Sequence, residues 1–278
     1  MTHRRFPYII LAPGLILLIL FLVLPLISII FPTFFDGGFT LGHYISFFKD
    51  GYNLGILWRT IKVSLVVTLI CAAIGVPTAY YISQSPKKWR GLLMSLTLFP
   101  LLTNSVVRSF AWITILGKNG VANNVLMGAG LISEPLTLLY TEFAIVIGSV
   151  YLFLPLMVIT LVGILENIES EIMEAAETLG ANRLIAFMKV ILPLSVPGII
   201  VGSILVFTGT MTAYTTPQLL GGNRNMMLAT FLYQSATALG NWQGASVIAL
   251  IMIVVTLIVM KLFNVVAKRM DRRGEVSA

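Results

Sequence analysis

The chain has 278 residues, of which 58% are hydrophobic and 10% charged, and its mean hydropathy is +0.95. Soluble domains carry about 25% charged residues, so this composition excludes an ordinary soluble protein and predicts an all-α integral membrane protein. The formal net charge of +7 would suggest nucleic-acid binding in a soluble protein. In a membrane protein it is first a signal of loop orientation.

Six apolar runs have the length of a transmembrane helix, which needs about 20 mostly apolar residues. They predict spans at positions 8–31, 63–85, 92–116, 143–165, 190–214 and 245–267. Arg108 interrupts the third run, and Lys261 lies near enough to the end of the sixth to reach the interface. The first run is interpreted as a retained span, because it exceeds the roughly 7–15 apolar residues of a signal peptide and no small-residue cleavage site follows.

Lysine and arginine are distributed unevenly between the two sides that six spans define. The side with both termini holds Arg4, Arg5, Lys87, Lys88, Arg90, Arg183, Lys189, Lys268, Arg269, Arg272 and Arg273. The opposite loops, at 31–60, 117–142 and 215–244, hold only Lys49, Arg59, Lys118 and Arg224, with Lys62 at a border. Basic loops stay in the cytoplasm, so both termini are expected there, and the positive charge requires no nucleic-acid partner.

The predicted cytoplasmic loop 166–189 contains an acidic amphipathic helix. Its apolar residues recur at helical spacing in one narrow stripe: Ile172, Ala175, Ala176 and Leu179. Ser170 is a candidate N-cap, Gly180 supplies the backbone freedom that ends a helix, and Asn182 can cap a second helix leading into the fifth span. Five carboxylates would face an anionic leaflet if the helix lay on the membrane: Glu166, Glu169, Glu171, Glu174 and Glu177. A docking helix for a protein partner is therefore favoured.

The same loop carries a motif of a known family. Glu174-Ala175-Ala176, then Gly180, nine residues and Val190-Ile191-Leu192-Pro193 resemble the EAA loop of ATP-binding cassette (ABC) importer permeases. Valine at 190, where that family has isoleucine, and glutamate at 169, where many relatives have proline, are departures. Six spans with this loop between the fourth and fifth are similar to the type I, MetI-like permease fold. The resemblance implies that the loop contains a coupling helix seated on a partner ATPase, with these coupling residues: Glu174, Ala175, Ala176, Glu177 and Gly180.

The resemblance also implies the partners of a complete importer. These are two ATP-binding cassette ATPases, a second homologous permease and an extracytoplasmic substrate-binding protein, assembled in the lipid of the cytoplasmic membrane. The pair Gly117-Lys118 lacks a phosphate-binding pattern, so ATP and Mg²⁺ are expected on the partner ATPase and this chain is not expected to be an enzyme. His3 and His43 are isolated, and no cofactor or metal site is expected. An ion-coupled secondary transporter and a structural assembly subunit are the alternatives.

Polar residues inside the predicted spans mark candidate positions on a translocation path. Arg108 has either a role in transport, through gating or pairing, or a purely structural role such as pairing with helix carbonyls. Hydroxyl groups near the end of the fifth span either line a cavity or bond to their own helix backbone, the candidates being Thr208, Thr212 and Tyr214. Gly198 and Gly202 form a G-x-x-x-G pattern, which predicts close helix packing of a kind suited to an interface between permease subunits.

Three segments are most similar to the spermidine/putrescine type within this permease family. They are TNSVVRSFAW around Arg108, TPQLLGG at 216–222, and LGANRLIAFMKVILPLSVPGI from 179 onward. This resemblance implies a polyamine cargo. Permeases for other organic cations, aminophosphonate-like compounds or ferric iron share parts of these segments and are alternatives. No carboxylate lies in the middle of a predicted span, so an external binding protein could supply the selectivity.

Overall fold

A computed structural model describes residues 13–35, 38–168 and 170–275 of the chain. Several predictions lie outside these residues, namely those on Arg4, Arg5, Glu169 and the start of the first span. The side chains of Ser170 and of the basic residues from Lys268 onward also lie outside them. The chain divides into two compact units, Met1–Gly55 with Phe231–Ile253 and Ile56–Thr230 with Val254–Ala278.

The all-α fold is confirmed over the described residues. In chain order the helices are α1 Pro13–Phe34, α2 Gly42–Lys49, α3 Gly51–Gln84, α4 Lys87–Leu102, α5 Ser105–Leu116, α6 Val121–Gly128, α7 Glu142–Leu165, α8 Ser170–Thr178, α9 Arg183–Leu194, α10 Val196–Thr212, α11 Thr215–Gly221, α12 Leu228–Thr237 and α13 Trp242–Glu275. Among the described residues, four helices (α1, α3, α7 and α13) are long and apolar enough to cross a membrane, and the number rises to six if each of two bent pairs is one span.

Two helices are longer than the apolar runs predict. α3 begins at Gly51 instead of 63, so the predicted outer loop 31–60 contains α2 and the first turns of α3. The Asp50 carboxylate accepts a hydrogen bond of 2.8 Å from the Tyr52 N–H, and this bond caps α3 at its polar start. α13 begins at Trp242 and continues to Glu275, beyond the predicted limit of 267. Hydropathy marks the apolar part of a helix, whereas capping residues mark its ends.

The predicted span 92–116 is not one straight helix. α4 and the helical segment that begins at Ser105 meet at an angle of 92°. The Asn104 side chain accepts hydrogen bonds from the N–H groups of Val106 (2.9 Å) and Val107 (3.3 Å), so it starts a new helix at this point. Pro100, which lies inside α4, lacks the N–H that would continue the regular hydrogen-bond pattern. Asn104 and Pro100 are both visible in the sequence, but the span was predicted as one helix because the apolar run is continuous across them.

The predicted span 190–214 is also interrupted. α9 and α10 are bent by 65° at Ser195, whose hydroxyl donates to the Ile191 carbonyl at 2.6 Å. A wide π-turn at Phe187–Ile191 precedes Pro193, where the missing N–H disturbs the regular helix. α10 ends at Thr212, so Tyr214 lies in the connection to α11 and not in the span.

The core of the second unit depends on close packing between α7 and α10. An added Cβ atom would lie 2.8 Å from Ile164 Cδ1 at Gly198, 2.5 Å from Met157 Sδ at Gly202 and 2.6 Å from Phe153 Cε1 at Gly209. The G-x-x-x-G pattern therefore brings two helices of the same chain together. The expectation that it serves the interface between permease subunits is wrong, because these glycines face α7.

Gly202→Val should destabilise the second unit. The added methyl groups would collide with Met157, and overpacking of this kind costs about 1–3 kcal/mol. We expect a lower unfolding temperature and less monodisperse protein in detergent, measured by fluorescence-detected gel filtration after heating.

Gly163→Val is the matched control, since no atom lies within 4 Å of the Cβ position at Gly163, which belongs to the same helix pair. Equal thermal stability of the two variants would contradict the packing assigned to Gly202.

Candidate coupling and translocation sites

The segment predicted as the coupling helix is helical and sharply ended. α8 occupies Ser170–Thr178, and Gly180 follows with φ of +89°, a conformation that side chains with a Cβ rarely adopt. The Gly180 N–H donates to the Glu177 carbonyl (2.9 Å) and the Ala181 N–H to the Ala176 carbonyl (3.1 Å). The Asn182 side chain accepts from the Ile185 N–H at 2.8 Å and starts α9 as predicted. Gly180 thus ends α8 and Asn182 starts α9, so that the two residues form the turn between the helices.

One side of this helix pair is attached to the core of the second unit. Met173 and Ile168 pack against the core cluster, and Ala186 is fully buried. The rings of Phe187 and Tyr80 lie 4.9 Å apart between centroids, which joins α9 to α3. The sequence analysis missed Met173, although an apolar residue about 100° from Ile172 around the helix could have indicated a second contact surface.

The opposite side of α8 and α9 is apolar and exposed. Leu179 is 89% exposed and Leu184 71%, and Ile172 and Ala175 are also classed as exposed. The carboxylates of Glu174 and Glu177 flank this surface, and Glu177 pairs with Arg183 at 3.4 Å. Large apolar side chains surrounded by charged groups are typical of a protein contact surface. We call the exposed surface of Ile172, Ala175, Leu179 and Leu184 the docking face.

Arg90 joins the ends of α3, α4 and α7. The sequence analysis used this residue only to assign the orientation of the loops. Arg90, in the first turn of α4, donates to Glu166 at 3.0 Å just after α7. Its other terminal nitrogen donates to the carbonyls of Ser83 (2.6 Å) and Ser85 (3.4 Å) at the end of α3. A planar guanidinium group suits several acceptors at once. No sequence pattern reveals these contacts, because two of the acceptors are backbone carbonyls brought close by the fold.

Arg108 is buried at the bend between α4 and α5. Only 7% of it is exposed, and its guanidinium donates to the carbonyls of Pro100 (2.7 Å) and Thr103 (3.3 Å). The helix break leaves these carbonyls without intrahelical partners, and an arginine can satisfy them in an apolar environment. The described contacts therefore match the structural alternative for Arg108. A role in gating stays a prediction.

The hydroxyl groups at the end of α10 differ in their hydrogen bonding. Thr212 donates to the Thr208 carbonyl (2.9 Å), and Thr210 donates to the Val206 carbonyl (2.8 Å), so both bond their own helix. The Thr208 hydroxyl is buried and has no hydrogen-bond partner among the described residues. Buried hydroxyls rarely stay unpaired, so this oxygen has capacity for a water molecule or a solute. Thr208 thus differs from Thr210 and Thr212 in its hydrogen bonding, and its place on a translocation path stays a prediction.

A second ionic cluster lies at the start of α7. The Glu142 carboxylate pairs with Arg59 at 3.2 Å and with Lys62, both on α3. Arg59 also donates to the Met226 carbonyl (3.2 Å), and the Leu228 N–H donates to Thr60 Oγ1 (2.9 Å). These contacts connect the start of α7, α3 and the segment before α12. The Glu142 carboxylate is thus already occupied by two cations of the same chain.

An all-helical chain with several membrane-length helices is a multi-pass membrane protein. Residues 71–272 match the family model described as a binding-protein-dependent transport system inner membrane component. The chain belongs to this family and is the permease subunit of an ABC importer in the inner membrane.

Individual relatives and structures agree with this family. The spermidine/putrescine transport system permease protein PotB of Haemophilus influenzae is 33% identical over 85% of this chain and 82% of that protein. PotB of Escherichia coli is 32% identical over 81% of this chain and 84% of that protein. A bacterial alginate ABC transporter, solved in complex with an alginate pentasaccharide-bound periplasmic protein, shares the fold with a TM-score of 0.80 at 20% identity, covering 96% of this chain and 95% of that chain.

Arg108→Leu should destabilise the bend. The substitution leaves the Pro100 and Thr103 carbonyls without their donor, and losing hydrogen bonds to a charged group costs about 1.5–3 kcal/mol. We expect a lower unfolding temperature of the purified protein in detergent.

Arg224→Leu is the control, because Arg224 lies exposed in the 3₁₀ turn Asn223–Asn225 and its loss also removes one positive charge. If the Arg108→Leu variant were as stable as the Arg224→Leu variant, the structural role of Arg108 would be refuted.

Proposed function

We propose that this chain forms one half of the pore of a polyamine importer that carries spermidine- or putrescine-like solutes across the cytoplasmic membrane. The observation that carries the proposal is the identity of 33% and 32% with two spermidine/putrescine permeases over more than four fifths of the chain. Permeases for another organic cation, an aminophosphonate-like compound or ferric iron are the second candidate, because they share parts of the same segments.

The docking face supports a partner ATPase on the cytoplasmic side. Leu179 and Leu184 are the two most exposed side chains of that face, and covering them would remove apolar surface from water. The basic residues near both termini and in the turn between α3 and α4 favour a cytoplasmic position for these parts, and with them for α8. Two ATPases, bearing ATP and Mg²⁺, and a second homologous permease complete the proposed pore. A binding protein outside the membrane is included because one is bound to the alginate transporter that shares this fold.

The contacts of α8 suggest how movement of an ATPase reaches the pore. Displacement of the docking face would act on α9 through the fixed Gly180–Asn182 turn. α9 is helical up to the bend at Ser195, and α10 then packs closely on α7, whose side chains lie against the α10 glycines. Force applied at α8 would therefore move α10, and with it Thr208, relative to its neighbours. Alternating access requires such a connection between the motor and the spans.

Gly180→Arg and Glu174→Lys test the coupling. Arginine at φ of +89° is strained by about 1–2 kcal/mol and adds bulk beside the docking face. The Glu174→Lys substitution reverses a charge next to the docking face. Both variants should insert normally in the membrane but lose more than about tenfold in uptake, which corresponds to about 1.4 kcal/mol of lost coupling.

Glu134→Lys is the matched control for Glu174→Lys, because Glu134 is an exposed carboxylate in the predicted outer loop 117–142. Its uptake should stay within about twofold of the unaltered transporter, since no coupling surface is altered. Normal uptake by the Gly180→Arg and Glu174→Lys variants would contradict the coupling assignment.

The cargo is tested by uptake of radiolabelled spermidine and putrescine into cells that express the complete transporter. Deletion of the partner ATPase should abolish this uptake, whereas an ion-coupled transporter would retain it. Competition by unlabelled polyamines, and none by ferric iron or aminophosphonates, is the expected result. Accumulation of one of these other solutes, with no accumulation of polyamines, would overturn the proposed cargo.

A further inference from the structure

A polar cavity of about 290 Å³ lies within the first compact unit. Its lining residues include none from the docking face or from α10. It is formed between two helix–turn–helix corners, one joining α2 to α3 at Asp50 and the other joining α12 to α13 at Gly240 and Asn241. Gln243 and His43 lie across from each other with 2.9 Å between their Nε2 atoms, and this contact joins α13 to α2. The volume is near the lower limit of about 300–1,000 Å³ for small-ligand sites, so it suits a short chain or one end of a longer one.

The lining of the cavity changes from apolar at its floor to polar at its rim. Phe47, Val247 and Ile248 are buried and form an apolar floor. Asp50, Asn53 and Asn241 lie at the rim, where they are exposed or half-buried. A floor of this kind accommodates methylene groups, and the rim supplies hydrogen-bond acceptors for a polar head.

Asp50 gives the cavity its charge. Among the described residues that line the cavity, it is the only aspartate or glutamate, and none is a lysine or arginine. Within residues 38–168 and 170–275, the ion pairs of the chain do not include Asp50. One of its oxygens accepts from the Tyr52 N–H at 2.8 Å, which fixes the orientation of the carboxylate.

The helix ends around the cavity do not offset this charge. α3 and α13 begin there, which contributes partial positive charge, while α2 and α12 end there and contribute partial negative charge. The two kinds of helix end oppose each other. Lys49, next to Asp50 in the last turn of α2, does not line the cavity, so the Asp50 carboxylate determines the sign of the charge at its surface. An anionic ligand is therefore disfavoured. A metal ion is disfavoured too, since the described residues hold no group of three metal-ligating side chains.

We propose that this cavity is a binding site for the ammonium group of an alkylamine, with Asp50 as the counter-ion and the apolar floor in contact with the methylene chain. The inference depends on the proposed function only for the identity of its natural ligand, which would be one end of a polyamine. In the proposed orientation the site faces outward, because both corners belong to predicted outer loops. It would bind an amine on the outer side of the membrane.

The test measures binding of radiolabelled putrescine to the purified full-length chain in lipid nanodiscs. Asp50→Asn should raise the dissociation constant at least about tenfold, because the amide still caps α3 but carries no charge. Asp50→Glu keeps the charge and should retain binding within about threefold. Glu134→Gln removes an exposed outer-loop carboxylate elsewhere and should leave binding unchanged. Gel filtration of each variant confirms that it is folded.

Competition identifies the chemistry of the bound group. Butylamine should displace putrescine, whereas n-butanol, which has the same chain without the ammonium, should not. Unchanged binding by the Asp50→Asn variant, or equal displacement by butanol, would overturn the site. Polyamine uptake by the unaltered transporter tests the proposed function separately. If the transporter takes up polyamine but putrescine binding does not depend on Asp50, the site is rejected and the proposed function is kept. Butylamine binding that requires Asp50, in a transporter that takes up no polyamine, supports the site while rejecting the cargo.

Discussion

In an apolar medium every backbone N–H and C=O group must find a partner within the protein, and this requirement shapes the second unit. The break between α4 and α5 frees carbonyl groups at Pro100 and Thr103, and Arg108 satisfies them. Asn104 satisfies the N–H groups on the other side of the same break. At the bend between α9 and α10, the Ser195 hydroxyl adds a second hydrogen bond to the Ile191 carbonyl, which also accepts from the Ser195 N–H. At the break between α4 and α5, polar residues that resemble a functional site in the sequence thus perform a structural task.

α7 connects the two candidate sites of the permease. It starts at the ionic cluster of Glu142 and ends beside the Arg90–Glu166 pair, close in sequence to α8. Along its length it contacts the glycines of α10. The side chains of Ile164, Met157 and Phe153 fill the space that the glycines leave open, so the two helices are closely packed and displacement of one acts on the other. α7 is thus the helix of the second unit that contacts the α10 glycines along its length and ion pairs at both of its ends.

The sequence predicted the features that depend on local chemistry. The helix over the fourth span was predicted at 143–165 and occupies Glu142–Leu165, and both Gly180 and Asn182 have the predicted conformations. Features that depend on distant contacts were missed or misassigned. Hydropathy does not register a 92° bend, because both arms are equally apolar. The sequence likewise does not indicate which helix packs against the G-x-x-x-G pattern, because only the fold places Met157 opposite Gly202. No sequence motif indicates the contacts of Arg90, because its acceptors include backbone carbonyls at the end of α3.

The exposure of Leu179 has a consequence for the life of the protein in the cell. If the proposed partner is not present, the docking face leaves apolar surface exposed at Leu179, and surface of this kind is a liability for aggregation that cells limit with chaperones and proteases. Stoichiometric synthesis of the subunits, or rapid degradation of orphan copies, is the economical solution. On the proposed function, the exposure of Leu179 would thereby limit the number of unassembled copies that the membrane tolerates.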